Sequence, residues 1–587
     1  MYDGTEIRRI FTRHESANSA WRRLLKQCGL EAEHGNYTVG LFDEDDRLLA
    51  CATLAGNVIR GVAVDESARN TSLTNRLVSD ILSHARNEGY DNVFVFTKPE
   101  YRGTFESLSF HYVGGTDLAI MLENNGQALE YYKEYLEDMR SDGYNGAIVM
   151  RCNPLTRGHL YLIEKAREGV DTLYIIPVAD DTGAEYSYEE RRTMLRRAVQ
   201  GMPNVVVLEG SSYVVSSATF PTYFFKSATL AAEAHILLDL DIFCRHIVPP
   251  LGIQRRYVGT EPDDALTARY NEMMREVLPA HGISTVIYDR LRDADGRAIS
   301  ASRVRAAVDD YRAGDAIDML PQASISFVLA HTAAKAMTDE LLLTPKPGLV
   351  DTEDSGAHSD MDAVLMTRSI AALVPAFEHA ATLADIDATP TDDDLAQIGR
   401  HGEERMMKAT GGVNTHRGAL FALGVTTTAA ARLIRRHGTV STDALRREIV
   451  MTAGVLPRPV GTHGEQMHER YGVKTALDMA QGGYDTLFDS WLPFYKDALS
   501  QGDTATARKR LLLKIMSEID DTNVYYRCGR ETAHKVKAIA RQALNGCTDD
   551  DLRQMNARFK EHGISPGGSA DMLALTLYIY SITNRTK

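Results

Sequence analysis

The sequence predicts a multidomain protein in three parts: an α+β region, an α/β region built on a parallel sheet, and an all-α region. Length carries the first half of that prediction, because 587 residues exceed what one hydrophobic core can organise and three to four domains are expected. Pattern carries the rest. Strand-like and helical runs alternate between about residues 145 and 320, and beyond "MLPQAS" the strand signal fades into Ala, Leu, Met and Arg at helical spacing. The expected domains are therefore 1–140, 141–322 and 323–587.

Composition narrows the class. Hydrophobic content of 44% and charged content of 25% are those of ordinary soluble globular chains. No apolar stretch reaches the roughly 18 residues needed to span a membrane, and "MYDGTEIRRIFTRHES" is too polar for a secretory leader. Six cysteines (28, 51, 152, 244, 528 and 547) are scattered with no C-x-x-C pair, so neither a disulfide framework nor zinc is expected. A net charge of −15 argues against broad nucleic-acid binding, which rests on neutralising phosphates. The expectation is a cytoplasmic enzyme with no nucleic-acid or membrane partner, whose anionic ligands are held by local donors.

In the first region, "SANSAWRRLLKQCG" reads as a helix, "YTVGLFDEDDRLLACATLAG" as a hairpin and "NVIRGVAVDES" as a third strand. "LTNRLVSDILSHARNEG" is a long amphipathic helix, "DNVFVFTKP" a strand, and "TFESLSFHYVGG" a short helix and strand. This order resembles an N-acetyltransferase-like domain. Such domains seat a pyrophosphate on a Gly-rich turn before the long helix. Here that turn, "DESARNTSLTNRL", has no glycine, so its amides are less able to approach a phosphate. A structural or partner-recognition role is expected of it.

In the second region, "GAIVM", "TLYIIPV", "NVVVLE", "RYVGTE" and "ISTVIYD" are the strands of a parallel sheet with right-handed crossovers. Ligands bind at the carboxyl ends of such strands. "CNPLTRGHLYLIEKA" (152–166) lies at the end of the first strand, where Thr156, Gly158 and His159 open a helix. The helix amides make an anion site, Gly158 allows close backbone approach, Thr156 adds a neutral donor, and His159 can stabilise charge as a phosphoanhydride breaks. A helix cap alone would also account for Thr156. "ISASRVR" (299–305) follows the last strand, with serines able to cap a helix while Ser302 and Arg305 face phosphates. The two together resemble the HxGH nucleotidyltransferase superfamily, a Rossmann-like α/β fold that attacks the α-phosphate of ATP by positioning and charge stabilisation.

With "YVGTEPDDALTARYNEMM" between them, residues 1–320 resemble citrate lyase ligase. That resemblance implies joining acetate, through acetyl-AMP, to the thiol of the citrate lyase acyl-carrier subunit, with no protein nucleophile. It implies that Asn153, Thr156, His159, Ser300, Ser302 and Arg305 hold the ATP phosphates and that Glu261 lies near the nucleotide.

In the third region, five polar segments interrupt the helical pattern: "TPKPGLVDTEDSGAHSDMD", "TGGVNTHRGALFALG", "GTHGEQMHERYG", "SEIDDTNVYYRCG" and "ISPGGSADMLALT". The pairs Asp520 with Asp521 and Asp360 with Asp362 suit Mg²⁺ carried on ATP. Lys346 and Arg527 could meet a triphosphate, and His358 or His416 could act as general acid or base. Any one acid pair is ordinarily a solvated helix end; the density of five such segments points to a shared cleft. "PKPGLVD", "GAHSDMD", "TGGVNTHRGA", "DDTN" and "SPGGSADMLALT" resemble triphosphoribosyl-dephospho-CoA synthase over residues 325–587. That resemblance implies transfer of triphosphoribosyl from ATP to the ribose 2′-hydroxyl of 3′-dephospho-CoA, with adenine released. Asp351, His358, Asp360, Asp362, Asn414, His416, Asp520, Asp521 and Asn523 are its expected site residues. The expected division gives Asp520 and Asp521 the Mg²⁺–triphosphate and a histidine the proton, with no tightly bound organic cofactor. The expected function is a bifunctional enzyme of citrate lyase maturation. The alternatives are a pantetheine-phosphate-type adenylyltransferase fused to a cofactor-precursor synthase, a non-catalytic carrier-binding scaffold and, for the helical half, a malonate decarboxylase context.

Overall fold

The computed structural model describes residues 5–12, 14–68, 72–214, 220, 224–225, 227–261, 265–383 and 390–586. The chain divides into two compact units, Met1–Asn153 with Gly158–Ala298, and Pro154–Arg157 with Ile299–Lys587. Among the described residues no helix is long and apolar enough to cross a membrane.

The first unit holds two sheets. Strands β1 (Glu6–Arg9), β2 (Tyr37–Phe42), β3 (Leu48–Ala55), β4 (Val58–Val64), β5 (Phe94–Thr97), β6 (His111–Gly115) and β7 (Ile120–Glu123) form a mixed sheet in the order β1-β2-β3-β4-β5-β7-β6. Its pairs are antiparallel except β4 with β5. The β2–β3 hairpin closes on Asp43, whose Oδ1 accepts from the Asp45 and Arg47 amides while Asp46 takes a positive φ of 62°. The helix Leu73–Asn87 buries Leu77, Val78 and Ile81 against Val39, Leu41 and Leu54 of the sheet. The strands β1 and β7, too short to show a period in the sequence, complete its edge and interior. Of the glycine-free turn, residues 69–71 lie outside the described residues. In its described part Asp65 Oδ1 accepts from the Ser67 amide at 3.0 Å and the Ser67 hydroxyl at 2.5 Å.

The second sheet is all parallel, with β8 (Asn145–Met150), β9 (Thr172–Pro177), β10 (Val205–Val207), β11 (Ile253–Gly259) and β12 (Ser284–Tyr288) in the order β10-β9-β8-β11-β12. The five expected strands are these. Ile148, Tyr174, Ile175 and Ile176 are buried, as strands covered on both faces must be. Strand order reverses between β8 and β11, so a crevice belongs at their carboxyl ends. The helix Ala228–Ile242 packs Ala234, Leu238 and Ile242 against Phe94, Phe96 and Met121 of the first sheet, which joins the two sheets in one unit.

The second unit is helical, with no strand among its described residues. Its centre is made by the helices Arg417–His437 and Gly567–Thr583, apolar on nearly every face and buried over most of their lengths. Their few hydroxyls are satisfied internally: Thr427 Oγ1 donates to Tyr578 OH at 3.0 Å and Thr428 Oγ1 to the Ala380 carbonyl at 2.9 Å. The expected boundary at 322 falls inside this unit. Residues 299–319 pack with the C-terminal helix, where the Ala313 amide donates to Ser581 Oγ and Asn584 Nδ2 to the Tyr311 carbonyl.

Candidate active sites

In the first unit, residues after β8 and after β11 carry the candidate nucleotide groups. Cys152 turns the chain with a φ of 52°, and Asn153 is buried with its Oδ1 accepting from the Tyr186 amide at 3.0 Å. His159 lies in the first turn of the helix Arg157–Arg167. Burial, and then the positive charge of Arg290, push its pKa down to about 4, so the imidazole is neutral near pH 7 and offers one N–H. Glu261, just beyond β11, pairs with Arg290, whose Nε donates to the Thr260 carbonyl at 2.8 Å. Sequence reasoning missed Arg290; in "YDRLRD" two arginines are balanced by two aspartates, so no net charge marked it. It also missed Arg191, which is fully buried. Arg191 donates to the carbonyls of Arg151, Val178, Asp180 and Tyr186 and to Asp181 Oδ1. One guanidinium thereby fixes the loops that leave β8 and β9.

Gly158 lies beside His159 in the first turn of the helix Arg157–Arg167, and the remaining expected residues of this motif pair lie in the second unit. Thr156 is buried beside Leu155, whose carbonyl accepts from the Ser324 hydroxyl at 2.9 Å. Ser300 caps the helix Ala301–Asp309 by accepting from the Arg303 amide, and its hydroxyl lies 3.0 Å from that of Ser302. Ser302 is exposed and Arg305 half-buried.

The helical unit encloses a cavity of about 590 Å³ lined by residues from all five expected polar segments, including His358, Asn414, His416, His463, Asp520, Asp521, Asn523 and Arg527. Four arrangements shape it. First, Gly411 and Gly412, at φ 67° and 98°, end the helix Asp392–Thr410 and return the chain so that Asn414–Gly418 face the cavity. His416 is 5% exposed. Thr415 Oγ1 donates to Ser369 Oγ at 2.6 Å, and Ser369 Oγ lies 2.8 Å from His416 Nδ1. With one Ser369 lone pair taken by Thr415, its proton is free to point at Nδ1, an arrangement that puts the ring proton on Nε2, which has no protein partner. Burial, then Lys346, push its pKa down to about 3.

Second, His358 Nε2 lies 2.7 Å from Ser565 Oγ, and its Nδ1 lies 3.6 Å from Asp360 Oδ1. Burial and then Arg527 hold the ring below its ordinary pKa, with Asp360 opposing. Arg527 Nη2 donates to the Ala357 carbonyl at 3.0 Å. Third, Asp521 is buried and caps two helices. Oδ1 accepts from the Asn523 amide at 3.1 Å, and Oδ2 accepts from the Ser569 amide at 2.8 Å and hydroxyl at 2.9 Å. Burial raises its pKa against those donors. Gly567 and Gly568 allow this approach, since a Cβ at either would press on Asn523 or Asp521. Fourth, Asp520 Oδ1 accepts from Lys537 at 2.5 Å and from Tyr525 OH at 3.2 Å.

Four expected residues lie elsewhere. Lys346 does not line the cavity: its buried ammonium donates to Glu340 Oε1 at 2.6 Å and to the Glu340 carbonyl at 2.7 Å. Asp351 spends its carboxylate on the amides of Lys346, Glu353 and Asp354, which folds its own loop. Asp362 caps the helix Ala363–Thr382 by accepting from the Leu365 amide. Asp360 is exposed and reaches the cavity through His358. Conversely, Arg417, Lys474, Glu340 and Asp571 line the cavity and were not singled out. Two of them stood inside quoted segments, where residue type alone did not separate them from helix-surface charges. No group of three or more His, Cys, Asp or Glu side chains is placed to hold a metal ion among the described residues.

Two family models match the chain. "Citrate lyase ligase C-terminal domain" covers residues 145–328, and "ATP:dephospho-CoA triphosphoribosyl transferase" covers residues 326–587. A citrate (pro-3S)-lyase ligase from Haemophilus influenzae is 33% identical over 303 residues, 50% of this chain and 90% of that protein. The protein of the same name from Escherichia coli is 36% identical over 268 residues, 44% and 76% of the respective chains. From Azotobacter vinelandii, a "Probable 2-(5''-triphosphoribosyl)-3'-dephosphocoenzyme-A synthase" is 38% identical over 278 residues, 45% of this chain and 94% of that one.

Proposed function

The chain belongs to the citrate (pro-3S)-lyase ligase family over its first half and to the triphosphoribosyl-dephosphocoenzyme-A synthase family over its second, and from that premise we propose a bifunctional enzyme of citrate lyase maturation. One activity converts ATP and acetate to acetyl-AMP and pyrophosphate, then moves the acetyl group to the thiol of the lyase's acyl-carrier subunit with loss of AMP. The other moves triphosphoribosyl from ATP to the 2′-hydroxyl of 3′-dephospho-CoA and releases adenine. The six unpaired cysteines fit a reducing cytoplasm.

In the ligase half, the neutral His159 donates to a phosphate oxygen and stabilises charge as the α–β bond breaks. Arg290, held by Glu261 and Thr260, supplies the positive charge beside it. The phosphate-binding roles that the two signatures imply stay with Asn153 and Gly158 in the first unit and, taken by themselves, with Thr156, Ser300, Ser302 and Arg305 in the second. The first sheet, mixed with one parallel pair, is read as N-acetyltransferase-like and assigned to recognition rather than acetyl transfer, because Asp65 occupies the described part of its turn.

In the synthase half, the cavity carries the assignment: it gathers the five polar segments of the helical unit around a volume suited to a nucleotide. Arg417, Lys474 and Arg527 meet the triphosphate, with Asn414 and Asn523 as neutral donors. His358 takes the proton of the attacking 2′-hydroxyl through Ser565, and Asp360 favours the imidazolium that results. The acidic wall of Glu340 and Asp521 favours the positive charge that builds at the anomeric carbon. A divalent cation brought in on ATP fits here on Asp520 and phosphate oxygens, and would neutralise the triphosphate; Asp521, with both oxygens engaged, does not fit that role.

The test is incubation with ATP and dephospho-CoA, and separately with ATP, acetate and deacetylated citrate lyase, with adenine and AMP read by chromatography. Adenine in the first mixture and AMP in the second are expected. A protein that binds ATP yet forms neither product would end the proposal.

A further inference from the structure

Asp571 lies in the first turns of the helix Gly567–Thr583 and lines the cavity with His416, Gly418 and Glu340. The start of the neighbouring helix presses against it: a Cβ at Gly418 would collide with Asp571 Oδ2, and the Ala419 amide donates to the carboxyl. Tyr484, which lines a neighbouring pocket and whose hydroxyl is buried without a protein partner, is held protonated by that burial and, in part, by the nearby Asp571. Nε2 of the 5% exposed His416 is likewise buried without a partner. A buried polar atom left unpaired on a cavity wall, as His416 Nε2 is, needs an explanation, and a ligand is the simplest.

Two carboxyls crowded into a desolvated space cannot both hold full charge. Asp521 is the better placed to keep it, through the amides of Asn523 and Ser569 and the Ser569 hydroxyl. Asp571 has the Ala419 amide in its favour, while burial, then Asp521 and Glu340, drive its pKa far above the carboxylate range. Burial beside two other acids favours its protonated form, a carboxylic acid that can donate a proton into the cavity it lines.

We propose that Asp571 is the general acid that protonates the departing purine at N7, with His416 Nε2–H donating to another ring nitrogen of the same base. This rests on the triphosphoribosyl transfer proposed above. The C1′–N9 bond breaks and its electron pair enters the purine, which takes the Asp571 proton. The C1′–O bond forms to the 2′-oxygen, whose proton passes through Ser565 to His358. Adenine leaves neutral, and the proton on His358 returns to Asp571 through solvent as products depart.

The test uses the full chain and two donors. Asp571→Asn should release adenine from ATP, with dephospho-CoA as acceptor, about 10²–10⁴-fold more slowly than wild type. From 7-methyl-ATP, whose base departs neutral with no proton supplied, the same variant should stay within about tenfold of wild type. Equal loss on both donors would overturn the acid and leave the transfer reaction standing. Wild type that transfers nothing from ATP would sink both. If Asp571→Asn does not fold, wild type with 7-deaza-ATP, which has no N7 to protonate, decides the matter. Competitive binding without base release is expected, and release at the ATP rate would overturn the assignment.

Discussion

Ser369 Oγ lies 2.8 Å from His416 Nδ1 and itself accepts from Thr415 Oγ1 at 2.6 Å, so two hydroxyls in series decide which imidazole nitrogen carries the proton. Breaking the series frees the ring to adopt the other tautomer. Ser369→Ala should lower kcat for adenine release about tenfold, with a stability loss of about 1–3 kcal/mol from the unpaired partners. Steady-state kinetics and thermal melting would read the two effects. An unchanged kcat would show that the tautomer is set elsewhere.

The two activities should separate by mutation. His159→Ala should cut acetate-dependent pyrophosphate release about 10²–10³-fold and leave adenine release intact. His358→Ala should do the reverse. Parallel assays on each purified variant read both products, and equal loss of both in a folded variant would contradict independent sites.

Acid should weaken the fold through His416. Its pKa falls from 6.5 to about 3 on folding, so below pH 6.5 the unfolded chain binds a proton that the native chain refuses. Stability from this residue is therefore fully present above pH 6.5 and is lost as pH falls toward 3, by up to about 1.4 kcal/mol per pH unit. His416→Gln lacks this dependence. The stability gap between wild type and His416→Gln, measured by urea unfolding, should shrink by about 2 kcal/mol between pH 7.5 and about pH 5.

Lys346 and Glu340 form a buried ion pair at 2.6 Å, both nearly closed to solvent. Lys346→Met should destabilise the helical unit by about 3–5 kcal/mol, because it leaves a carboxylate buried without its cation. Adding Glu340→Gln should recover much of the loss. Melting curves of the single and double variants would test this, and a neutral single variant would mean that water already reaches Glu340.

Much of the fold was legible because the signals were periodic. The alternation between residues 145 and 320 became β8–β12, and "RGALFALGVTTTAAARLIRRH" became the buried helix Arg417–His437. The histidines were legible as residue types in polar breaks, and the structure brings His358 and His416 to one cavity. Acids were not legible in the same way. Asp351, Asp362 and Asp521 look in sequence like Asp520, yet the first three are engaged by backbone amides while Asp520 accepts from side chains. Whether a carboxylate caps a helix or faces a ligand depends on amides that arrive from distant segments, as Ser569 does for Asp521. The membership of residues 299–319 in the helical unit was hidden for the same reason, since it rests on contacts with the last helix, about 270 positions later.

One carboxylate, that of Asp521, fastens the starts of the helices Thr522–Ala543 and Gly567–Thr583. Tilting either helix alone would strip amides from a desolvated anion, so this side of the cavity behaves as the fixed jaw of a vice. Accommodation of guests as unlike as a nucleotide and a coenzyme then falls to the rim at residues 456–464, where Pro457 and Pro459 stiffen the chain and Val460 stands 96% exposed. Specificity between the two guests is a property to engineer there, without disturbing that jaw.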